Sequence, residues 1–403
     1  MSTSLLYHAF AIRGYDYRRT DYAEGGVTFT IAQDPKDWRC PACGSRQVVG
    51  RGQTQRCFRA VPIGRRPVSI VLPVQRVGCL ACGVVRQVDV AFADPRRSYT
   101  RAFERYALEL SQHMTIKAVA HHLSVSWDVI KDIQKRDLRR RFARPRLADL
   151  KQIAIDEIYL GKRQGYATVV LDLASGAIVF VGDGKGADAL EPFWQRLNRS
   201  GAVVDAVAID MTPAYRRAVD THLPWAVVVF DHFHVIKLFN EKLSQLRRDL
   251  HRQATEQDQE VLKGTRWLLL KNPANLDPAR DELARLEKAL ELNQPLATAY
   301  YLKEELRQFW AQADKAAAAT FLESWIARAQ ASDIALLRSF ARTLQQHEDG
   351  LLAYYDYALS TGPLEGTNNK IRALQRQAYG FRDLEFFKLK LLALHEAKYA
   401  LVG

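Results

Sequence analysis

Between Gln152 and Asp231, five short apolar, β-branched runs follow one another so closely that few folds can hold them. They are Gln152-Ile-Ala-Ile-Asp156, Tyr166 to Asp172, Ala177 to Gly182, Val203 to Asp210 and Ala226 to Asp231. Runs of this length, rich in Val and Ile and bounded by turn residues, read as strands. Ala174-Ser-Gly176 supplies a hairpin turn between the second and third. Helical patterns at 188–199 and 212–221 separate the later runs. The predicted order is three strands, then helix, strand, helix, strand.

That order is the order of an RNase H-like fold, and acids stand at its telling positions. Asp156 and Asp210 each close one of the apolar runs. A third acid, Glu365, follows the turn-like Ser360-Thr-Gly-Pro-Leu and opens a basic, helical stretch. Carboxylates at strand ends, with another on a helix, suit a two-metal phosphoryl-transfer site. Hard Mg²⁺ takes one or two protein carboxylates and leaves its other positions to water and phosphate. Two such ions clamp the attacking and leaving oxygens of an in-line displacement. Three close carboxylates also repel one another, which raises their pKa values and favours cation binding. Glu157 is expected to point to the opposite face of its strand from Asp156. Asp172 and Asp183 sit beside turns and read as turn residues.

The first third of the chain names the phosphodiester as DNA. Residues 1–150 hold 26 Lys and Arg against 13 Asp and Glu, whereas 151–403 hold 32 of each. The whole excess of +13 is therefore carried by one end, as in a polyanion-docking module joined to a neutral one. Tyr7 to Tyr15 and Gly26 to Ile31 read as short strands. Cys40-Pro-Ala-Cys43-Gly and Cys79-Leu-Ala-Cys82-Gly read as two knuckles of one tetrahedral zinc site, with a strand-rich insertion from Val61 to Val77 between them. Cys57 is left over as a packing residue or spare thiol. From Tyr99 the period turns helical. Thr115 to Leu123 and Ser126 to Lys135, broken at Ser124-Val125, form a helix-turn-helix pattern with Ala120, Leu123, Val125, Ile130 and Ile133 as its core. Ser126 is the candidate N-cap. Trp127, Asp128, Lys131 and Gln134 are placed on the side facing a major groove. Lys135, Arg136 and Arg139-Arg140-Arg141 can track the phosphate backbone.

At 403 residues the chain exceeds one ordinary core. It divides into a zinc-binding module at 1–95, a helix-turn-helix domain at 96–145, a first part of the catalytic core at 150–234, a helical block at 235–355, and a C-terminal helical part at 356–403 that carries Glu365. The fold class is thus multidomain α+β and α/β, with an RNase H-like core interrupted by an all-helical insertion. Apolar runs fall short of the ~20 residues a membrane span needs. The first residues lack a signal-peptide pattern, so a cytoplasmic location is expected.

With these parts in order, the chain resembles a bacterial DDE transposase of the ISL-three insertion-sequence family. The resemblance rests on Ile209-Asp210-Met-Thr-Pro-Ala-Tyr215, on Phe230-Asp231-His-Phe-His234-Val-Ile-Lys237-Leu238, and above all on Gly362-Pro-Leu-Glu365-Gly-Thr-Asn368-Asn-Lys370-Ile371 through Arg376-Gln-Ala-Tyr379-Gly-Phe-Arg382. It implies that Asp156, Asp210 and Glu365 are a catalytic triad holding two Mg²⁺ or Mn²⁺ ions, alongside a structural Zn²⁺. Asp231 and His234 match a further Asp-x-x-His signature, positioning a phosphate or bracing the sheet end. Lys370, Arg372, Arg376 and Arg382 become candidates for the DNA backbone near the metals, and Trp267 and Trp310 for stacking on an unpaired base. The implied partners are the element's terminal inverted repeats, target DNA and further copies of the chain, in the bacterial nucleoid. Neither a membrane nor a small-molecule substrate is expected.

Two other readings bear on the same residues. One is a catalytically silent regulator that binds terminal repeats through the zinc and helix-turn-helix modules; the intact acids argue against it. The other is an RNase H-like nuclease for branched DNA, which leaves the N-terminal docking modules without a use.

Overall fold

The computed structural model describes residues 5–162, 164–359 and 362–394 and divides into two compact units, Met1–Arg141 and Phe142–Gly403. Ser360 and Thr361, in the turn before Glu365, and residues 395–403 of the expected C-terminal part lie outside the described residues.

The first unit is built on a sheet of β1 (Asp16–Ala23), β2 (Gly26–Ala32), β3 (Val48–Ile63), β4 (Arg66–Cys79) and β5 (Val85–Gln87), in the order β1-β2-β4-β3 with β5 also paired to β4. Alternation decides its buried face: Val27, Phe29 and Ile31 on β2, and Val68, Ile70, Leu72 and Val74 on β4, all turn inward. The strand expected over Tyr7 to Tyr15 is not formed; Leu5–Phe10 is a helix instead. Leu6 and Phe10, four apart, fall on one helical stripe and bury against the sheet, so helical spacing wins over apolar content. The insertion between the knuckles is a longer hairpin than expected, β3 and β4 turning at Gly64. Arg59 ties the sheet to the helical part by donating from Nη2 to the carbonyls of Leu123 (2.8 Å) and Ser124 (3.2 Å). The zinc and helix-turn-helix parts thus belong to a single unit.

In the second unit, β6 (Gln152–Gly161), β7 (Gly165–Asp172), β8 (Ile178–Asp183), β9 (Ala206–Ile209) and β10 (Val227–Phe230) form one sheet in the order β10-β9-β6-β7-β8. β6, β7 and β8 are an antiparallel meander; β9 lies parallel to β6 and β10 parallel to β9. This is the RNase H-like arrangement. One face packs Ile153, Ile155, Val207, Ile209 and Phe230 against the helices Glu191–Ser200 and Pro213–His222. The other packs Ala154, Ile158, Ala206, Ala208 and Val229 against Leu364 and Ile371 of the helix Gly362–Gln377 and Phe387 of Leu384–Leu392.

From His232 to Tyr355 the described chain is helical. The helix His232–Gln253 runs from the end of β10 into this block and buries Val235, Phe239 and Leu243. Phe239 meets Phe340 and Trp325 edge-on at 4.7 and 6.0 Å between ring centres. Gly350 anchors the block to the sheet: a Cβ there would lie 2.4 Å from the Phe230 ring. No helix of the described residues is long and apolar enough to cross a membrane.

Candidate active site

The parallel pairings place the acids. Gln152, Ile153 and Ala154 of β6 stand opposite Ala206, Val207 and Ala208 of β9, whose residues in turn stand opposite Val227 to Phe230 of β10. Carried to the strand ends, this register sets Asp156 level with Asp210 and Asp210 level with Asp231. Neighbouring strands lie about 4.8 Å apart, so the three aspartates form one row across the C-terminal edge of the parallel strands. Alternation also fixes their side: Ala154, Ala208 and Val229, each two residues earlier, all face the layer that holds the helix Gly362–Gln377. Asp210 and Asp231 follow directly after their strands. Asp156 departs from expectation. It lies within β6, which continues to Gly161 because its hairpin pairing with β7 outlasts its pairing with β9.

Each carboxylate is held. Asp156 accepts from its neighbour's backbone, Glu157 N, at 2.7 Å and from Asn368 Nδ2 at 2.7 Å. Asp210 accepts from Thr212 N at 3.0 Å and Thr212 Oγ1 at 2.7 Å, a turn that launches the helix Pro213–His222. Asp231 is 1% exposed; its Oδ2 meets His234 Nδ1 at 3.0 Å and its Oδ1 lies 3.5 Å from His232 Nδ1. Two helix N-termini, at Pro213 and His232, begin beside this row and bring positive dipole ends to it.

Burial is the main force raising the Asp156 pKa; His234, the Glu157 amide and Asn368 oppose it, and Asp210 adds to it. Desolvation therefore outweighs the carboxylate repulsion expected from sequence. Burial by itself would lower His234. The Asp231 hydrogen bond and the charges of Asp156, Asp231 and Asp210 overcome it and hold the imidazole above its ordinary value.

Glu365 is exposed in the first turn of its helix. Three residues on, Asn368 is 6% exposed and reaches Asp156, which brings the start of this helix to the aspartate row. The Asn368 Oδ1 is buried without a hydrogen-bond partner among the described residues. Sequence reasoning gave Asn368 no role, although its spacing of three from Glu365 was the available signal. Arg372 and Arg376 lie seven and eleven residues past Glu365, on its stripe of the helix, and are exposed. Lys370 is exposed on a different stripe, and Arg382 is exposed beyond the helix end. Glu157 points away: it accepts from Tyr215 Oη at 2.6 Å and Gly186 N at 3.0 Å on the opposite face. Asp172 accepts from the amides of Ala174 and Ser175 in its turn, and Asp183 pairs with Lys388 at 2.6 Å. Trp267 is 64% exposed, whereas Trp310 is half-buried with its ring 5.7 Å from His232.

The sulfurs of Cys40, Cys43, Cys79 and Cys82 all lie within 4.8 Å of one another, with Cys40–Cys82 and Cys43–Cys79 at 3.6 Å. Tetrahedral Zn–S bonds of about 2.3 Å require sulfurs nearly this close, so the tetrad fits zinc. Gly44 and Gly83 close the two knuckles at φ 75° and 72°, their amides returning to the carbonyls of Cys40 and Cys79. The Cys82 and Ala81 amides draw the Cys79 thiol down to about 7, while Cys43, against the pull of the Ser45 amide, is pushed up by the Cys82 and Cys79 sulfurs, a crowding of thiols that a cation among the four would relieve. Cys57 is exposed and apart from this cluster. Among the described residues no other set of three or more acids, cysteines or histidines converges so tightly. Asp156, Asp210 and Glu365 do not reach that spacing, but their all-oxygen donor set is the kind a hard divalent cation takes.

The helix-turn-helix forms from Ile116–His122 and Trp127–Phe142, preceded by Arg101–Leu110. Its expected core is formed: Ala120, Leu123, Ile130 and Ile133 are buried and Val125 packs against them. Ser126 and Trp127 are exposed at the start of the second helix, and Lys131 lies over the Trp127 ring at 5.3 Å. Lys135 is half-buried; Arg139 and Arg140 are exposed, Arg140 pairing with Asp137 at 2.6 Å. Gln134 corrects the expectation. It is 4% exposed, one residue from Ile133 on the inward side, and cannot face a groove.

A family model described as a transposase matches residues 153–391, the span that carries this row of acids. The chain belongs to the ISL3 family of transposases. Models of the family's helix-turn-helix domain and of the zinc finger of transposases IS204, IS1001, IS1096 and IS1165 match residues 88–137 and 36–82. This transposase is 34% identical over 388 residues to the transposase for insertion sequence element IS1001 of Bordetella parapertussis, covering 94% of this chain and 95% of the relative. It is 30% identical over 373 residues to the transposase for insertion sequence element IS1557 of Mycobacterium tuberculosis, covering 85% and 82%. Among solved structures, the Drosophila P element transposase strand transfer complex aligns with a TM-score of 0.40 and 14% identity, covering 72% of this chain and 91% of that one. Family membership makes the chain a DDE-class, DNA-binding enzyme that works with a divalent metal and carries a four-cysteine zinc site.

Proposed function

We propose that this transposase binds the terminal inverted repeats of an insertion sequence, cleaves the DNA there and joins the freed end to target DNA, using Asp156, Asp210 and Glu365 as its triad. The observation that carries this is the level row of Asp156, Asp210 and Asp231 on the sheet face covered by the helix of Glu365. In this reading Asp156 and Asp210 share one Mg²⁺ or Mn²⁺ and Glu365 completes the site of a second. Bound ions supply a hydroxide nucleophile near neutral pH and neutralise charge on the leaving oxygen.

The protein's own groups do the rest. Asn368 fixes the Asp156 carboxylate through Oδ2 and keeps the other oxygen toward its own strand. His234, its Nδ1 held by Asp231 Oδ2, presents its other ring nitrogen as a donor to a phosphate oxygen. Arg372 and Arg376 line the route of the strand along the Glu365 stripe, with Lys370 and Arg382 holding the backbone to either side. Ser126, Trp127, Lys131, Lys135, Arg139 and Arg140 dock the repeat. The first reaction hydrolyses a phosphodiester and leaves a 3′-hydroxyl; in the second that hydroxyl attacks target DNA, so attacker and leaving group exchange roles at one site. Pairing two ends calls for a homodimer or larger assembly at the nucleoid.

Incubating the protein with DNA carrying the element's ends, in Mg²⁺ or Mn²⁺, and mapping the cuts tests the reading. Cuts at the repeat boundary that vanish in Asp210→Ala, with repeat binding intact, are expected. Binding without cutting by the wild-type chain would make it a regulator instead.

A further inference from the structure

Although the second unit is neutral by composition, its arginines are not evenly spread. Around the short loop 263–265 of the helical insertion, four of them converge. Arg247 donates from Nη1 to the carbonyl of Leu262 at 3.2 Å. Arg285 Nη2 lies 3.3 Å from where a Cβ on Gly264 would stand. The Arg266 guanidinium covers the Trp267 ring at 4.8 Å. Arg248, next to Arg247 on the same helix, is exposed, as are Arg266 and Arg285.

None of these four arginines is in a salt bridge among the described residues. Of the nearby acids, Glu260 pairs with Lys263 at 3.4 Å, Glu282 with Lys271 and the Asp277 amide, and Asp249 with Arg252 at 3.5 Å. The crowding is felt electrostatically. Burial first, and then the charges of Arg266 and Arg248, depress the Arg247 guanidinium below its ordinary value. Like charges gathered outside any salt bridge oppose folding, and a polyanion relieves them. Trp267, 64% exposed beside them, adds an aromatic face, the combination that nucleic-acid backbones and bases engage.

We infer that Arg248, Arg266, Arg285 and Trp267 form a second DNA-docking patch, which grips the phosphate backbone of the element's flank away from the cut. The inference rests on the proposed reaction for the location of the cut. The separation from the aspartate row follows from the fold. Arg247 lies sixteen residues past Asp231 on one continuous helix, about 24 Å along its axis at 1.5 Å per residue.

The test uses the full chain, with a duplex carrying the element's end and an unrelated duplex of equal length. Binding is measured across a salt series, and the phosphates that the protein touches are mapped by ethylation interference. For the triple variant Arg248→Gln, Arg266→Gln, Arg285→Gln, the slope of log affinity against log salt should fall by about 0.9 for each phosphate that is no longer neutralised. A group of interfering phosphates separate from those at the cut should disappear, while the matching Arg→Lys triple keeps both. Arg266→Gln alone, at an exposed position, should lower the slope by about 0.9 and serves if the triple variant unfolds. Trp267→Ala should weaken binding with the slope unchanged. Unchanged slope and interference in Arg266→Gln and the triple would overturn the patch, and a changed oligomeric state with unchanged slope would assign the surface to a second copy of the chain. Equal wild-type binding to both duplexes would remove the terminal-repeat reading alone, because the slope change on the unrelated duplex still decides the patch.

Discussion

The side-chain amide of Asn368 donates to Oδ2 of Asp156 at 2.7 Å, joining the helix of Glu365 to the middle of β6 across 212 residues of sequence. Removing it frees one oxygen of a carboxylate that is otherwise tied only to its neighbour's amide. Asn368→Ala is expected to slow cleavage by about 10- to 100-fold, the usual effect of losing a group that orients a metal-binding side chain. Asn368→Asp should be worse, because it sets a like charge against Asp156. Single-turnover cleavage across a Mn²⁺ titration separates the cases: the alanine variant should require more metal. Activity within twofold of wild type at every metal concentration would make Asn368 a spectator.

His234 has a pKa above its ordinary 6.5 because Asp231 and the neighbouring acids outweigh burial. Protonated His234 therefore stabilises the metal-free fold fully below about pH 6.5, and that stabilisation fades as pH rises through the raised folded value. Urea unfolding of wild type and His234→Gln between pH 5.5 and 9 should show a stability gap that narrows with rising pH. A gap independent of pH would mean that the imidazole has the same pKa folded and unfolded, and a gap that widens with rising pH would mean that burial wins and the folded imidazole is neutral.

The buried Oε1 of Gln134 has no hydrogen-bond partner among the described residues, so this side chain bears a desolvation cost without a compensating bond. Gln134→Met is expected to leave DNA affinity unchanged and to stabilise the first unit by roughly 1 kcal/mol. Lys131→Ala, on the exposed side, should weaken DNA binding and lower its salt dependence. The two variants, compared by binding titration and thermal unfolding, decide which face of the helix meets DNA.

Chelation or Cys79→Ser should release one zinc per chain and lower the melting temperature of the first unit. Its sheet core of Phe29, Phe58, Ile70 and Leu72 lies outside the tetrad, so strand signal by circular dichroism should largely persist. Complete unfolding would show that the metal holds the whole unit, as it does in small zinc fingers.

Gly350→Ala should destabilise the second unit by about 1–3 kcal/mol, because the added methyl meets the Phe230 ring at 2.4 Å where neither backbone nor ring has room. Phe230 precedes Asp231, so the aspartate row should also shift and cleavage should fall more than the loss of stability explains.

Much of this was legible from the residues because strong signals coincide. The apolar runs from Ile153 to Phe230 are buried strands, and the Cys-x-x-Cys-Gly knuckles meet in one cluster. What escaped depends on tertiary pairing. Asp156 looked like a strand end, but β7 supplies partners beyond it, where Tyr159 and Glu157 break the apolar run. Tyr7 to Phe10 read as strand because a helix of six residues has fewer than two turns, too few for its period to show. Gln134 carries a polar side chain at an inward position, which no pattern of polarity reveals. Asn368 is polar and helical, and only the approach of β6 gives it a role.

The helix of Glu365 follows the whole helical insertion in the chain, while Asp156, Asp210 and Asp231 precede it. During synthesis the DNA-docking unit and the aspartate row therefore leave the ribosome first, and the last acid arrives only after the insertion has been made. On the proposed reading, a chain that stops within the insertion would carry the docking unit without the helix of Glu365, and would occupy DNA that it could not cut. On that reading such fragments would compete with the complete protein for DNA, so truncation beyond the first unit would lower transposition instead of releasing an unguided nuclease.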